Sequence, residues 1–133
     1  MSGEIDLKVL LGSMDPELSD GGYVFHSMPA DCDQLFQLRP WAIITETEGY
    51  TIIIDKDTAT LNGIPVLDVF RRITLNVHSS LNAVGLTAVV STKLAEVGIS
   101  ANVVAGFYHD HVFVQQDRAA EAMRILKAFN YSS

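Results

Sequence analysis

The chain has 133 residues, a length that suits one compact domain or two very small ones sharing a core. It is 48% hydrophobic and 19% charged, enough to bury a sizeable core and too apolar for disorder over most of its length. The net charge of −7 repels phosphate backbones and anionic lipid surfaces, which argues against nucleic acid and membranes as partners.

Targeting and redox signals point the same way. No apolar run approaches the roughly 18 to 20 residues of a membrane helix. Met1-Ser2-Gly3-Glu4 has neither a basic region nor an apolar core of the kind a signal peptide carries. Cys32 is the single cysteine, which leaves no intramolecular disulfide and no cysteine-based metal cluster. The expectation is a soluble, cytoplasmic protein.

In chain order, Leu7, Leu10, Leu11 and Met14 have helical spacing, so residues 4–14 read as a short amphipathic helix. Pro16 and Asp20-Gly21-Gly22 are expected to break the chain. Tyr23-Val24-Phe25-His26 reads as a strand, and residues 31–40 as a loop with one helical turn. Residues 41–47 and 50–55 are rich in Ile, Thr and aromatics around Glu48-Gly49, which predicts a β-hairpin. Residues 57–63 give a short turn of helix ending at Gly63, followed by a β-rich connection through Val66 and Val69.

The second half carries a clearer pattern. Ile73, Leu75 and Val77 alternate with Thr74, Asn76 and His78, the period of a half-buried strand. After Ser79-Ser80, the stripe Ala83, Leu86, Val90, Leu94 and Val97 predicts a helix stopped by Gly98. Residues 99–108 and 111–115 read as two further strands. Asp117 is placed to cap a last helix that buries Ala119, Ala122, Met123, Leu126 and Phe129. This is α+β, and most of the ferredoxin-like βαββαβ order; only the fourth strand is lacking after Phe129, and surplus strands of the N-terminal half could supply it.

Residues 79–87 (Ser79-Ser80-Leu81-Asn82-Ala83-Val84-Gly85-Leu86-Thr87) resemble the first loop and helix start of ACT domains. Leu94-Ala95-Glu96-Val97-Gly98-Ile99-Ser100 is similar to the "LA-x-x-GI-[SN]" signature of that family, and residues 104–114 match its strand, acidic turn and returning strand. The first half is similar, more loosely, to small proteins with two ACT-like halves, through Leu7-Lys8-Val9-Leu10-Leu11, Tyr23-Val24-Phe25 and residues 45–50. The expected organisation is an irregular ACT-like half at 1–69 and an ACT-like domain at 70–133. The same architecture is similar to amino-acid-sensing ACT proteins and to the regulatory half of aspartate kinase.

The resemblance implies a regulatory module that binds a small ligand such as an amino acid, with no catalytic activity, no cofactor and a tendency to form homo-oligomers. Carried over, its ligand-binding residues are Ser79, Ser80, Asn82, Val84 and Gly85 before and at the helix start, with Tyr108 and Asp110 at the acidic turn. The chemistry suits a zwitterion: a helix N-terminus favours a carboxylate, and Asp110 can pair with an ammonium. Gly106-Phe107 stands where the family usually has a Ser-Thr pair. The plainer reading of the same residues is helix capping at Ser80 or Asn82 and turn formation at Asp110.

Two other readings stay beside this one. The module could be a structural oligomerisation unit with an empty site. It could also be a small metal-dependent enzyme, since His109-Asp110-His111 offers two imidazoles, although no third or fourth ligand is identifiable. Cys32 lies between Asp31 and Asp33, whose charges disfavour a thiolate nucleophile.

Overall fold

A computed structural model describes residues 9, 11–77 and 85–131. Its strands are β1 (Asp15–Met28), β2 (Ala42–Glu46), β3 (Gly49–Asp55), β4 (Phe70–Asn76), β5 (Asn102–Ala105) and β6 (Asp110–Gln115). Its α-helices are α1 (Lys56–Leu61), α2 (Leu86–Glu96) and α3 (Ala119–Lys127). The chain divides into two compact units, Asp20–Phe70 and a second made of Met1–Ser19 with Arg71–Ser133.

In the unit Asp20–Phe70, strands lie in the order β2-β3-β1. Glu46 faces Gly49 across the β2–β3 turn, as the Glu48-Gly49 signal predicts. Tyr23 to Met28 run antiparallel to β3, with Val24 opposite Ile54 and His26 opposite Ile52. Val24, Ile52, Ile54 and Ala59 form the core with Leu35 and Ile64, and Cys32 packs at its margin. Asp55 starts α1 by accepting the backbone N–H groups of Asp57 and Thr58 at 3.0 and 3.1 Å. Gly63, at φ +73°, follows that helix in the left-handed region.

Residues 41–55 thus follow the expected hairpin, and Phe36–Leu38 supplies the expected turn of helix as a 3-10 segment. Two expectations fail in this stretch. The strand β1 runs through Pro16 and Asp20-Gly21-Gly22 instead of breaking there. Pro16 sits at the strand's second residue, where a missing N–H is tolerated. Gly21 lies against the Asp55 carboxylate, 3.3 Å from where a Cβ would be. Val66 and Val69 pack on the core from an irregular connection and not from a strand.

The second unit has the strand order β1-β4-β6-β5. The place beside β4, empty in a βαββα sequence, is taken by residues 15–19 of β1. Arg71 secures it by donating from Nε to the Ser19 carbonyl at 3.1 Å and from Nη2 to the same oxygen. The Arg72 N–H donates to Ser19 Oγ at 3.1 Å, and Asn76 Nδ2 to Glu17 Oε2 at 3.2 Å. Neighbour order 4-1-3-2 is the ferredoxin-like sheet, with an N-terminal segment serving as the fourth strand.

One face of this sheet makes the core. Ile73, Leu75 and Val77 of β4 and its end, with Val112 and Val114 of β6, meet Leu86, Val90 and Leu94 of α2 and Ala119, Ala122 and Leu126 of α3. Met123 and Phe129 pack at the margin, and Met14, after helical residues 11–13, closes one end of the cluster. The expected helix segment at residues 4–8 and the stripe member Ala83 lie outside the described residues.

The end of α2 is a Schellman motif. Gly98, at φ +78°, donates to the Ala95 carbonyl at 3.0 Å, and the Ile99 N–H reaches the Leu94 carbonyl at 2.9 Å. Ile99 is therefore buried as the hydrophobic partner of that cap and not as the first residue of a strand. For the same reason Val97, at the cap, is 41% exposed instead of completing the buried stripe. The strand itself is only Asn102–Ala105. Asp117 likewise does not cap α3: it sits inside a 3-10 turn, Gln116–Arg118, and the residue preceding the helix is Arg118, which makes no side-chain cap. Glu121 in the first turn and Arg124 and Lys127 in the last suit the dipole of α3. Among the described residues no helix is long and apolar enough to cross a membrane.

Candidate functional site

Tyr108 and Asp110 of the predicted site belong to the β5–β6 hairpin. Asn102 faces Phe113, Val104 faces His111 and Ala105 faces Asp110. Beyond these pairs, the Gly106 N–H donates to the His109 carbonyl at 2.9 Å, which leaves Phe107 and Tyr108 as the tip. Gly106 is required there: an added Cβ would lie 2.7 Å from the His109 backbone oxygen. Phe107 and Tyr108 pack edge to face with ring centroids 5.0 Å apart, and they are 78% and 77% exposed. The expected strand at 99–108 therefore ends three residues early, because a two-residue turn has to reverse it.

Asp110 is the first residue of β6 and is partly buried. Burial pushes its carboxyl pKa up from the ordinary value of 3.8. A cation held against it would offset that desolvation, which is the electrostatic property an ammonium anchor needs. His111 follows it. Burial first, then the charges of Arg72 and His109, push its pKa down to about 4, so the imidazole is neutral at physiological pH.

Gly85 begins α2 from the left-handed region at φ +95°, and its carbonyl accepts the first helical bond from the Val89 N–H at 2.9 Å. As glycine it has no side chain with which to cap the helix. Ser79, Ser80, Asn82 and Val84, like His78, lie outside the described residues. Of the predicted set, Tyr108 and Asp110 thus share one hairpin, and Gly85 belongs to the segment that follows β4.

A polar chain that sequence reading did not single out ends at His111, the residue after Asp110. Arg72 Nη1 donates to Thr74 Oγ1 at 2.8 Å, and Thr74 Oγ1 is 3.0 Å from His111 Nδ1. Thr74 and His111 are 37 residues apart, so only the pairing of β4 with β6 joins them. The available signal was a threonine at a polar position of an alternating strand. Among the described residues there is no group of three or more His, Cys, Asp or Glu side chains placed to hold a metal ion.

Comparison with known proteins covers both halves. Two ACT-domain family models match, one over residues 2–71 and the other over residues 70–128. The fold is similar to a Vibrio cholerae protein of unknown function described as a possible transport protein, at 46% identity and a TM-score of 0.87, covering 97% of this chain and 99% of that one. It is also similar to a putative C-terminal regulatory domain of aspartate kinase from Porphyromonas gingivalis, at 18% identity and a TM-score of 0.57, over 89% of this chain and 97% of that one. A third similarity is to the regulatory subunit of aspartate kinase from Thermus flavus, at 13% identity and a TM-score of 0.61, over 86% and 95% of the two chains. None of the curated proteins matches the sequence.

Proposed function

Because the chain belongs to the ACT-domain family, with both of its halves matched, we propose that it is a non-catalytic regulatory module that binds an amino acid or a closely similar metabolite. The observation that carries this reading is Asp110, a partly buried carboxylate at the base of a glycine-dependent hairpin, on the strand neighbouring β4. The α-ammonium of the ligand pairs with Asp110. Its α-carboxylate is held by backbone N–H groups where α2 begins at Gly85, aided by Ser79, Ser80, Asn82 and Val84. Tyr108 contributes from the exposed tip. Binding biases an association state, which lets the site signal without chemistry.

The association proposed is a homo-oligomer, consistent with β2 and β5 standing at the ends of their strand orders. Light scattering at micromolar concentration should give at least twice the 14.5 kDa chain mass, and a monomer throughout would refute it. The ligand is tested by a thermal-shift screen of amino acids. A specific binder stabilises the fold by about 2.7 kcal/mol at a hundredfold excess over its Kd. Calorimetry then compares the wild type with Asp110→Asn, which keeps the size and removes the charge. Loss of a charge-assisted hydrogen bond costs about 1.5 to 3 kcal/mol, roughly ten- to hundredfold in affinity. Equal affinities with an intact fold would remove Asp110 from the site.

A further inference from the structure

We propose that Thr74 is a positioning residue of this site: acting through His111, it fixes the start of β6 and with it Asp110. The proposal rests on the ligand reading above. Thr74 is 8% exposed and is the buried polar side chain of the described residues. Its strand neighbours Ile73 and Leu75 face the helices, so Thr74 stands on the opposite face of the sheet. A hydroxyl buried there has to satisfy its hydrogen bonds locally.

Thr74 Oγ1 accepts from Arg72 Nη1, a donor with no acceptor capacity. The same oxygen hydrogen-bonds with His111 Nδ1 at 3.0 Å. The chain Arg72–Thr74–His111 therefore fixes the orientation of the ring. On its other side the ring lies against the hairpin: a Cβ on Gly106 would be 3.5 Å from His111 Nε2 and 3.7 Å from its Cδ2. The imidazole thus joins β4 to the base of the hairpin, and Asp110 is its immediate neighbour in the chain. Asp110 and His111 are successive strand residues on opposite faces, so the held ring fixes the backbone from which the Asp110 side chain projects, and with it where the ligand charge is anchored.

Thr74→Val keeps the shape and removes the hydroxyl, and with it the hydrogen bonds to Arg72 Nη1 and His111 Nδ1. Thr74→Ser restores the hydroxyl. Each protein is melted with and without a mixture of the proteinogenic amino acids at about 1 mM each. The mixture should raise the Tm of the wild type and of Thr74→Ser alike, while Thr74→Val keeps a cooperative melt and loses most of the shift. In a ligand-free experiment, amide exchange protection of Val104, Gly106 and Val112 should fall about tenfold in Thr74→Val and recover in Thr74→Ser. An undiminished shift in Thr74→Val overturns the proposal, as does protection that is unchanged or lost evenly along the chain. If the mixture shifts none of the three proteins, the ligand reading falls by itself, and exchange alone decides whether Thr74 fixes the start of β6.

Discussion

Arg118 closes the second unit from the helix side, and its removal gives a stability change that can be worked from the structure. Its Nη2 donates to the Val97 carbonyl at 2.6 Å and its Nη1 to the Gly98 carbonyl at 3.4 Å, where α2 leaves carbonyls without helical partners. The same guanidinium pairs with Glu121 at 2.7 Å, with both side chains about a third exposed. Arg118→Met retains most of the aliphatic stem and deletes these interactions. Charged hydrogen bonds reach about 1.5 to 3 kcal/mol when buried, but partial exposure brings this pair nearer to 1. The helix dipole adds about 0.3 to 1 kcal/mol, and the ion pair up to about 0.5. The expected loss is about 1 to 2.5 kcal/mol.

For 133 residues the unfolding entropy is about 0.28 kcal/mol/K, so Tm should fall by about 4 to 9 °C. The assay is thermal unfolding followed by circular dichroism, with Arg124→Met as the control. Arg124 is 73% exposed and lies 4.0 Å from Glu121, so its replacement should cost under about 0.5 kcal/mol. Equal shifts for the two variants, or a fall of under about 1 °C for Arg118→Met, would refute the assignment of Arg118 as the cap of α2.

Two further outcomes follow from the core and from His111. Leu94 is fully buried between α2 and the sheet, so Leu94→Ala should cost about 3 kcal/mol, whereas Val97→Ala, at the exposed cap, should cost under about 0.5 in denaturant titrations. Because the folded pKa of His111 is about 4 against 6.5 ordinarily, the unfolded chain binds more protons between those values. The contribution of His111 to stability is therefore complete above pH 6.5 and declines as pH falls through that window. Asp110 works in the opposite sense, since its raised pKa makes acid relieve its burial penalty. His111→Asn should flatten the decline between pH 6.5 and 4, and an unchanged pH profile would show that another group governs it.

What the sequence by itself determined is what depends on neighbours within about a turn of chain. Ile73, Leu75 and Val77 alternate because a strand has a period of two, and Leu86, Val90 and Leu94 step by four because a helix surface repeats nearly so. Gly98 ends α2 because the left-handed region is open to glycine without strain. The order of elements also left the fourth strand of the ferredoxin-like pattern to come from elsewhere in the chain. That residues 15–19 fill its place was decided by the fold, through Arg71 and Arg72 reaching Ser19 across 52 and 53 residues. Pro16 and Gly21-Gly22 looked like breakers because their local cost is real, yet pairing on a sheet outweighed it over the whole of β1. Asp110 entered as a candidate through the resemblance to the acidic turn of ACT domains, a stretch of contiguous chain. Its link to Thr74 could not be read in that way, because nothing in either segment records that β4 and β6 become neighbours. The neutral state of His111 has the same origin: burial and the charge of Arg72 act through space, and both exist only once the sheet has formed.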